Sequence, residues 1–183
     1  LAWATLEDDA ETAQFLFYAA KEKLGRFVGV DGAAVAYAVQ LTRVRDVAAE
    51  YLENECPDDF MRVLEGYCAG INSYLVHHWD ELSVKKAFQL EPVDVITGYT
   101  LGMALMEGVD GAMRDIVEGT IQENIPMLPD VGSPIGSNFI AMNGNKTADG
   151  NTYLDINSHQ PLEGLLSWYE AHLCSEEGWN ITG

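Results

Sequence analysis

The chain has 183 residues, of which 48% are apolar, enough for one respectable core and hence a prior of one domain. Ten Lys and Arg stand against 29 Asp and Glu, a formal net charge of −19 that repels phosphate backbones and anionic headgroups and argues against nucleic acid or membrane partners. No run nears the roughly 20 apolar residues of a membrane helix, and no signal peptide is visible.

In chain order, Thr5 ahead of Glu7, Asp8 and Asp9 predicts a capped helix start. Its apolar stripe is Phe15, Phe17, Tyr18, Ala19 and Leu24, ended by Gly25. A second helix is expected from residue 33 to about 52 through Val35, Val39, Thr42, Val44, Val47 and Tyr51. Pro57 and Asp58 start a third, from about 59 to 78, through Phe60, Leu64, Tyr67, Ile71 and Leu75.

Pro92 opens a fourth helix that carries Val95, Ile96, Tyr99, Leu101, Met103 and Met106 and bends near Gly108, with further helix over about 112–123. Residues 125–136 hold three prolines and two glycines, which predicts an irregular linker ending at Gly136. Strand-like periodicity begins at Ser137. Residues 136–142, the turn-rich stretch 143–150 and residues 153–159 read as a β-hairpin; with Ser137 beginning the first strand, the return strand brings Asn157 to His159 back beside it. Residues 166–174 and 178–182 are expected to complete an antiparallel meander.

Cys56, Cys68 and Cys174 are sparse and lack metal-like spacing, so buried thiols are expected rather than ligands. His77 and His78 are adjacent, point to different helix faces and make a poor metal pair.

Several segments, in order, carry a resemblance: Ala2-Trp3-Ala4 through Glu7-Asp8-Asp9; Tyr67, Gly70 and Asn72 at Tyr-x-x-Gly-apolar-Asn spacing; Leu90-Glu91-Pro92-Val93-Asp94; Gly136-Ser137-Asn138; the turn at 147–150; and Asn157-Ser158-His159. Together they are similar to the penicillin acylase family of N-terminal nucleophile hydrolases, over most of the chain. Members are several times longer. The chain opens at Leu1 and stops just past a strand-like segment, so it reads as an amino-terminal portion of a larger enzyme.

The resemblance implies an α+β chain, a fragment of an αββα fold. Residues 1–124 form the helical part of the α subunit, 125–136 a spacer ending at the processing site, and 137–183 the start of the nucleophile-bearing β subunit. It also implies self-cleavage between Gly136 and Ser137, an α/β heterodimer with the rest of the precursor, and periplasmic or secreted location. Ser137 would then be nucleophile and, through its α-amine, base. An α-amine titrates unperturbed at about 7.7–8.0, close to the working pH that general-base catalysis favours.

By the same resemblance His159, where relatives carry Gln or His, orients that amine, Asn157 braces the strand end, and Met103 and Met106 line an acyl pocket. The substrate would be a small acyl amide: a β-lactam side chain, an acyl-homoserine lactone or a lipopeptide. Ser158 and residues 160–164 depart from many relatives, which carry Pro and an aromatic-rich segment there. No cofactor is expected. Some relatives hold calcium, but the carboxylate they use has no clear counterpart after Met106. Oxyanion-hole donors are expected at least partly beyond Gly183, so these residues alone should not catalyse. The rival reading is a non-catalytic helical-plus-β binding module with a fortuitous hairpin. A conventional triad is less favoured because no Gly-x-Ser-x-Gly elbow appears.

Overall fold

The computed structural model describes residues 1–85, 89–106, 109, 111, 115, 137–159 and 167–183. The expected bend at Gly108, most of the helix over 112–123 and the linker with Gly136 lie outside the described residues. The chain is α+β, helices plus small antiparallel sheets, and divides into two units: Leu1–Glu123 with Tyr169–Gly183, and Asn124–Trp168.

The first unit opens with α1 (Ala2–Ala20). Its start is earlier than the Thr5 cap predicts: the Thr5 hydroxyl donates to the Leu1 carbonyl at 3.2 Å, inside the helix. The cap geometry sits at Asp9 instead, where the backbone leaves helical angles (φ −151°, ψ 78°) and Oδ1 accepts from the Thr12 N–H at 3.0 Å. That hydrogen bonding holds the Asp9 carboxyl below its usual range. The helix ends at Ala20, and Gly25 begins rather than ends an element, the short α2 (Gly25–Val28). Phe15 is exposed, unlike Phe17, Tyr18, Ala19 and Leu24.

The single helix expected over 33–52 is two, α3 (Val30–Thr42) and α4 (Val44–Asn54). They are split at Arg43, which takes left-handed angles (φ 54°, ψ 24°). Those angles carry a steric cost for a residue with a Cβ. The break changes the helical phase, so Val44 and Ala48 are buried while Val47 is exposed.

Helix α5 (Asp58–His77) follows its Pro57 signal and buries Leu64, Cys68, Ile71, Tyr74 and Leu75, with Phe60 exposed. Helix α6 (Pro92–Met106) begins at its proline as expected. One core joins α1 and α5 through Leu6, Phe17, Ile71 and Tyr74, with Leu82 and Leu90 from the intervening segment. A second gathers Tyr18, Leu24, Val39, Val44 and Leu101. Gly70 sits at a close approach of α1 and α5, since a Cβ there would lie 3.0 Å from the Ala2 methyl.

Two resembling segments, those holding Asn72 and Leu90, meet in this scaffold. Asn72 Nδ2 donates to the Leu90 carbonyl at 2.9 Å, and its Oδ1 accepts from the Leu90 N–H at 2.7 Å. Asp94 is completely buried between Lys21 Nζ (2.7 Å to Oδ2) and an Arg45 terminal nitrogen (2.6 Å to Oδ1), and also accepts from the Glu91 N–H at 2.8 Å.

Among the described residues the strands form two two-stranded sheets in place of the expected meander. In the first unit β3 (His172–Cys174) pairs with β4 (Asn180–Thr182), Cys174 opposite Asn180. In the second unit β1 (Asn138–Met142) pairs with β2 (Tyr153–Asn157). The register runs from Asn138 opposite Asn157 to Met142 opposite Tyr153. Phe139, Ala141, Leu154 and Ile156 share one face by alternation, and Phe139, Leu154 and Ile156 are each more than 60% exposed.

Candidate active site

The turn between β1 and β2 explains why Ser137 and His159 belong to one end of the hairpin. A 3₁₀ turn over Gly144–Lys146 is capped by Asn143, whose Oδ1 accepts from the Asn145 N–H at 3.0 Å. The Thr147 hydroxyl contacts the Gly144 and Asn151 carbonyls at 3.1 and 2.8 Å. Asp149 accepts from the Tyr153 hydroxyl, the Asn151 N–H (3.1 Å) and the Asn151 amide (2.9 Å), which hold its carboxyl well below the usual range. Gly150 takes φ 76°, and a Cβ on Gly144 would press on the Gly150 carbonyl. This closed turn fixes the register, and the register fixes which residues meet at the open end.

Ser137 immediately precedes β1, outside the strand and exposed, rather than beginning it. Continuing the register one step sets it opposite Ser158, between Asn157 and His159 in sequence. Asn157 Nδ2 lies 3.1 Å from His159 Nε2. Because an amide nitrogen only donates, this contact uses the lone pair on Nε2 and leaves the neutral ring's proton on Nδ1. The structure therefore joins Asn157 and His159 directly, at the end of the hairpin where Ser137 precedes β1.

Met103, on α6 in the other unit, is 44% exposed. Met106 ends that helix, with its side chain outside the described residues, as are Gly136 and residues 160–164.

For metals, no group of three or more His, Cys, Asp or Glu gathers among the described residues. His77 Nδ1 lies 2.7 Å from the Ser73 carbonyl and His78 Nδ1 lies 3.2 Å from Glu81, so the two rings have different partners. The three cysteines are free but differ from the expectation of buried thiols: Cys68 is buried, Cys56 half-buried and Cys174 exposed. Burial, with the carboxylates of Asp94 and Glu91, pushes the Cys68 thiol up to about 11, partly offset by Lys21.

Sequence reasoning missed two arrangements. One is the ionic centre at Asp94, whose cationic partners, Lys21 just after α1 and Arg45 on α4, leave no local pattern. The other sets His172, Cys174 and Asn180 side by side on β3 and β4. Alternation put His172 and Cys174 on one strand face, but only the register supplies Asn180.

A comparison with protein-family models matches penicillin amidase over residues 1–183.

Proposed function

The chain belongs to the penicillin amidase family, and from that premise we propose that it is part of an acylase precursor whose nucleophile is Ser137. The family is one of amidohydrolases, which supports a hydrolytic reading in general. The observation that carries the finer reading is the exposed Ser137 just outside β1, at the hairpin end where Asn157 meets His159.

In this reading the Gly136–Ser137 bond is cut by the precursor itself, separating a helical α part (residues 1–124 with the 125–136 spacer) from a β part beginning at Ser137. The freed α-amine takes the hydroxyl proton as Ser137 oxygen bonds to the substrate's amide carbon. Collapse of the tetrahedral adduct breaks the C–N bond, and the leaving amine departs with a proton. Water then attacks the ester, releasing the acid and restoring the serine. His159 orients the α-amine, Asn157 fixes the ring through Nε2, and Met103 and Met106 supply a flexible apolar wall for the acyl group.

The fold would be the family's αββα sandwich, completed as an α/β heterodimer with the rest of the precursor in a periplasmic or secreted setting. The chemistry needs no cofactor, and nucleic acid and membrane are not partners in this reading. A β-lactam nucleus, a homoserine lactone or a lipopeptide head would serve as the amine side.

Intact-mass and N-terminal analysis of the complete precursor tests this. Two polypeptides, one beginning at Ser137, are expected, with acylating reagents modifying that serine. A single uncut chain inert to such reagents would favour the non-catalytic binding module.

A further inference from the structure

We propose that His172, Cys174 and Asn180 form a binding site for a soft divalent transition metal of the zinc type. This site is independent of the chemistry assigned to Ser137.

His172 Nε2 lies 2.7 Å from Asn180 Oδ1 and 3.2 Å from Cys174 Sγ, and Sγ lies 3.7 Å from Oδ1. These three donor atoms form a small triangle whose common centre is about 2 Å from each. That is the reach of Zn–N and Zn–O bonds and slightly less than the roughly 2.3 Å of Zn–S. A cation seated just above the triangle bonds all three and keeps its outer side for water. One thiolate and one imidazole select zinc, cobalt or copper over magnesium and calcium, which prefer oxygen shells. Binding requires the lone pair of Nε2 and expels the thiol proton to solvent.

The hairpin holds the donors in place. Cys174 faces Asn180 across β3 and β4, and His172, two residues before Cys174, projects from the same face. The turn between them is tied by the Ser175 N–H to the Trp179 carbonyl at 2.9 Å, with Gly178 at φ 100°. All three ligands are exposed, so metal enters without unfolding. Linear spacing did not reveal the site because one donor is an amide and lies on the opposite strand.

Cobalt(II) titration of the full chain, in reducing buffer without added thiols, tests the proposal. A saturable one-to-one thiolate-to-cobalt absorption band is expected, displaced by zinc. Cys174→Ser should abolish it, His172→Ala should weaken cobalt binding at least about tenfold, and Cys56→Ser should leave it unchanged. No band, or a band that survives Cys174→Ser, overturns the site. A second measurement needs no variant: zinc should slow alkylation of Cys174 by iodoacetamide at least about tenfold where equal magnesium does not. Equal alkylation with and without zinc would also overturn it.

Discussion

The side chain of Asn72 acts as a backbone surrogate for Leu90, donating to its carbonyl at 2.9 Å and accepting from its N–H at 2.7 Å. This amide ties the C-terminal half of α5 to the segment that launches α6, and Leu90 is buried in the core. Asn72→Ala leaves a donor and an acceptor without partners and should cost about 2–3 kcal/mol in denaturant unfolding. Asn72→Asp keeps the acceptor but sets a carboxylate against the Leu90 carbonyl, so it should do no better. A wild-type midpoint for either variant would show that the clamp contributes nothing.

Asp94 predicts a different response. Truncation to Ala removes the buried carboxylate shared by Lys21, whose side chain is 8% exposed, and Arg45, and should destabilise the chain by about 3–5 kcal/mol. The exposed pair of Arg62 and Asp59 is the control: Asp59→Ala should stay within about 0.5 kcal/mol. Equal losses at the two positions would contradict a special role for the buried centre.

Alkaline stability should report Cys68. Its thiol is raised in the folded state from the ordinary 9 to about 11, so the unfolded chain releases this proton first. Stability from this group is complete below pH 9 and falls as pH rises towards 11. Tyr18, pushed up to about 12 by burial, extends the decline. Cys68→Ala should flatten the loss between pH 9 and 11, compared with wild type over the same range in urea titrations. An unchanged slope would remove Cys68 from the account.

In the complete precursor, Ser137→Ala should abolish the appearance of a new amino terminus and reduce turnover by at least about a thousandfold. His159→Ala, which misplaces the amine, should cost about a hundredfold in kcat and reshape the pH–rate profile, with His159→Gln restoring much of the loss. Processing or turnover surviving in Ser137→Ala would sink the serine mechanism, and a His159→Ala enzyme with a wild-type pH profile would remove the orienting role.

Some of this was legible in the sequence because the signals are local. Pro57 and Pro92 announce α5 and α6, and the Asn, Gly and Asp cluster between residues 143 and 150 announces the hairpin, whose register sets Asn157 opposite Asn138. Other features depend on what a residue meets far along the chain. Asp9 has capping chemistry, yet a helix precedes and follows it, so the signal marks a kink rather than a beginning. Arg43 adopts left-handed angles with neither Gly nor Asn to advertise them. The pairing of β3 with β4 rather than with β2, and hence Asn180 beside Cys174, depends on tertiary pairing that periodicity does not encode.

The ribbon of β1 and β2 carries a practical consequence. Phe139, Leu154 and Ile156 line a greasy flank, and the two strands leave their outer hydrogen-bonding edges bare among the described residues. A peptide cut to residues 137–159 would stack on copies of itself, with Lys146 and the few acidic side chains as its main gatekeepers. Studies of the serine are therefore better served by a longer polypeptide than by a minimal synthetic hairpin.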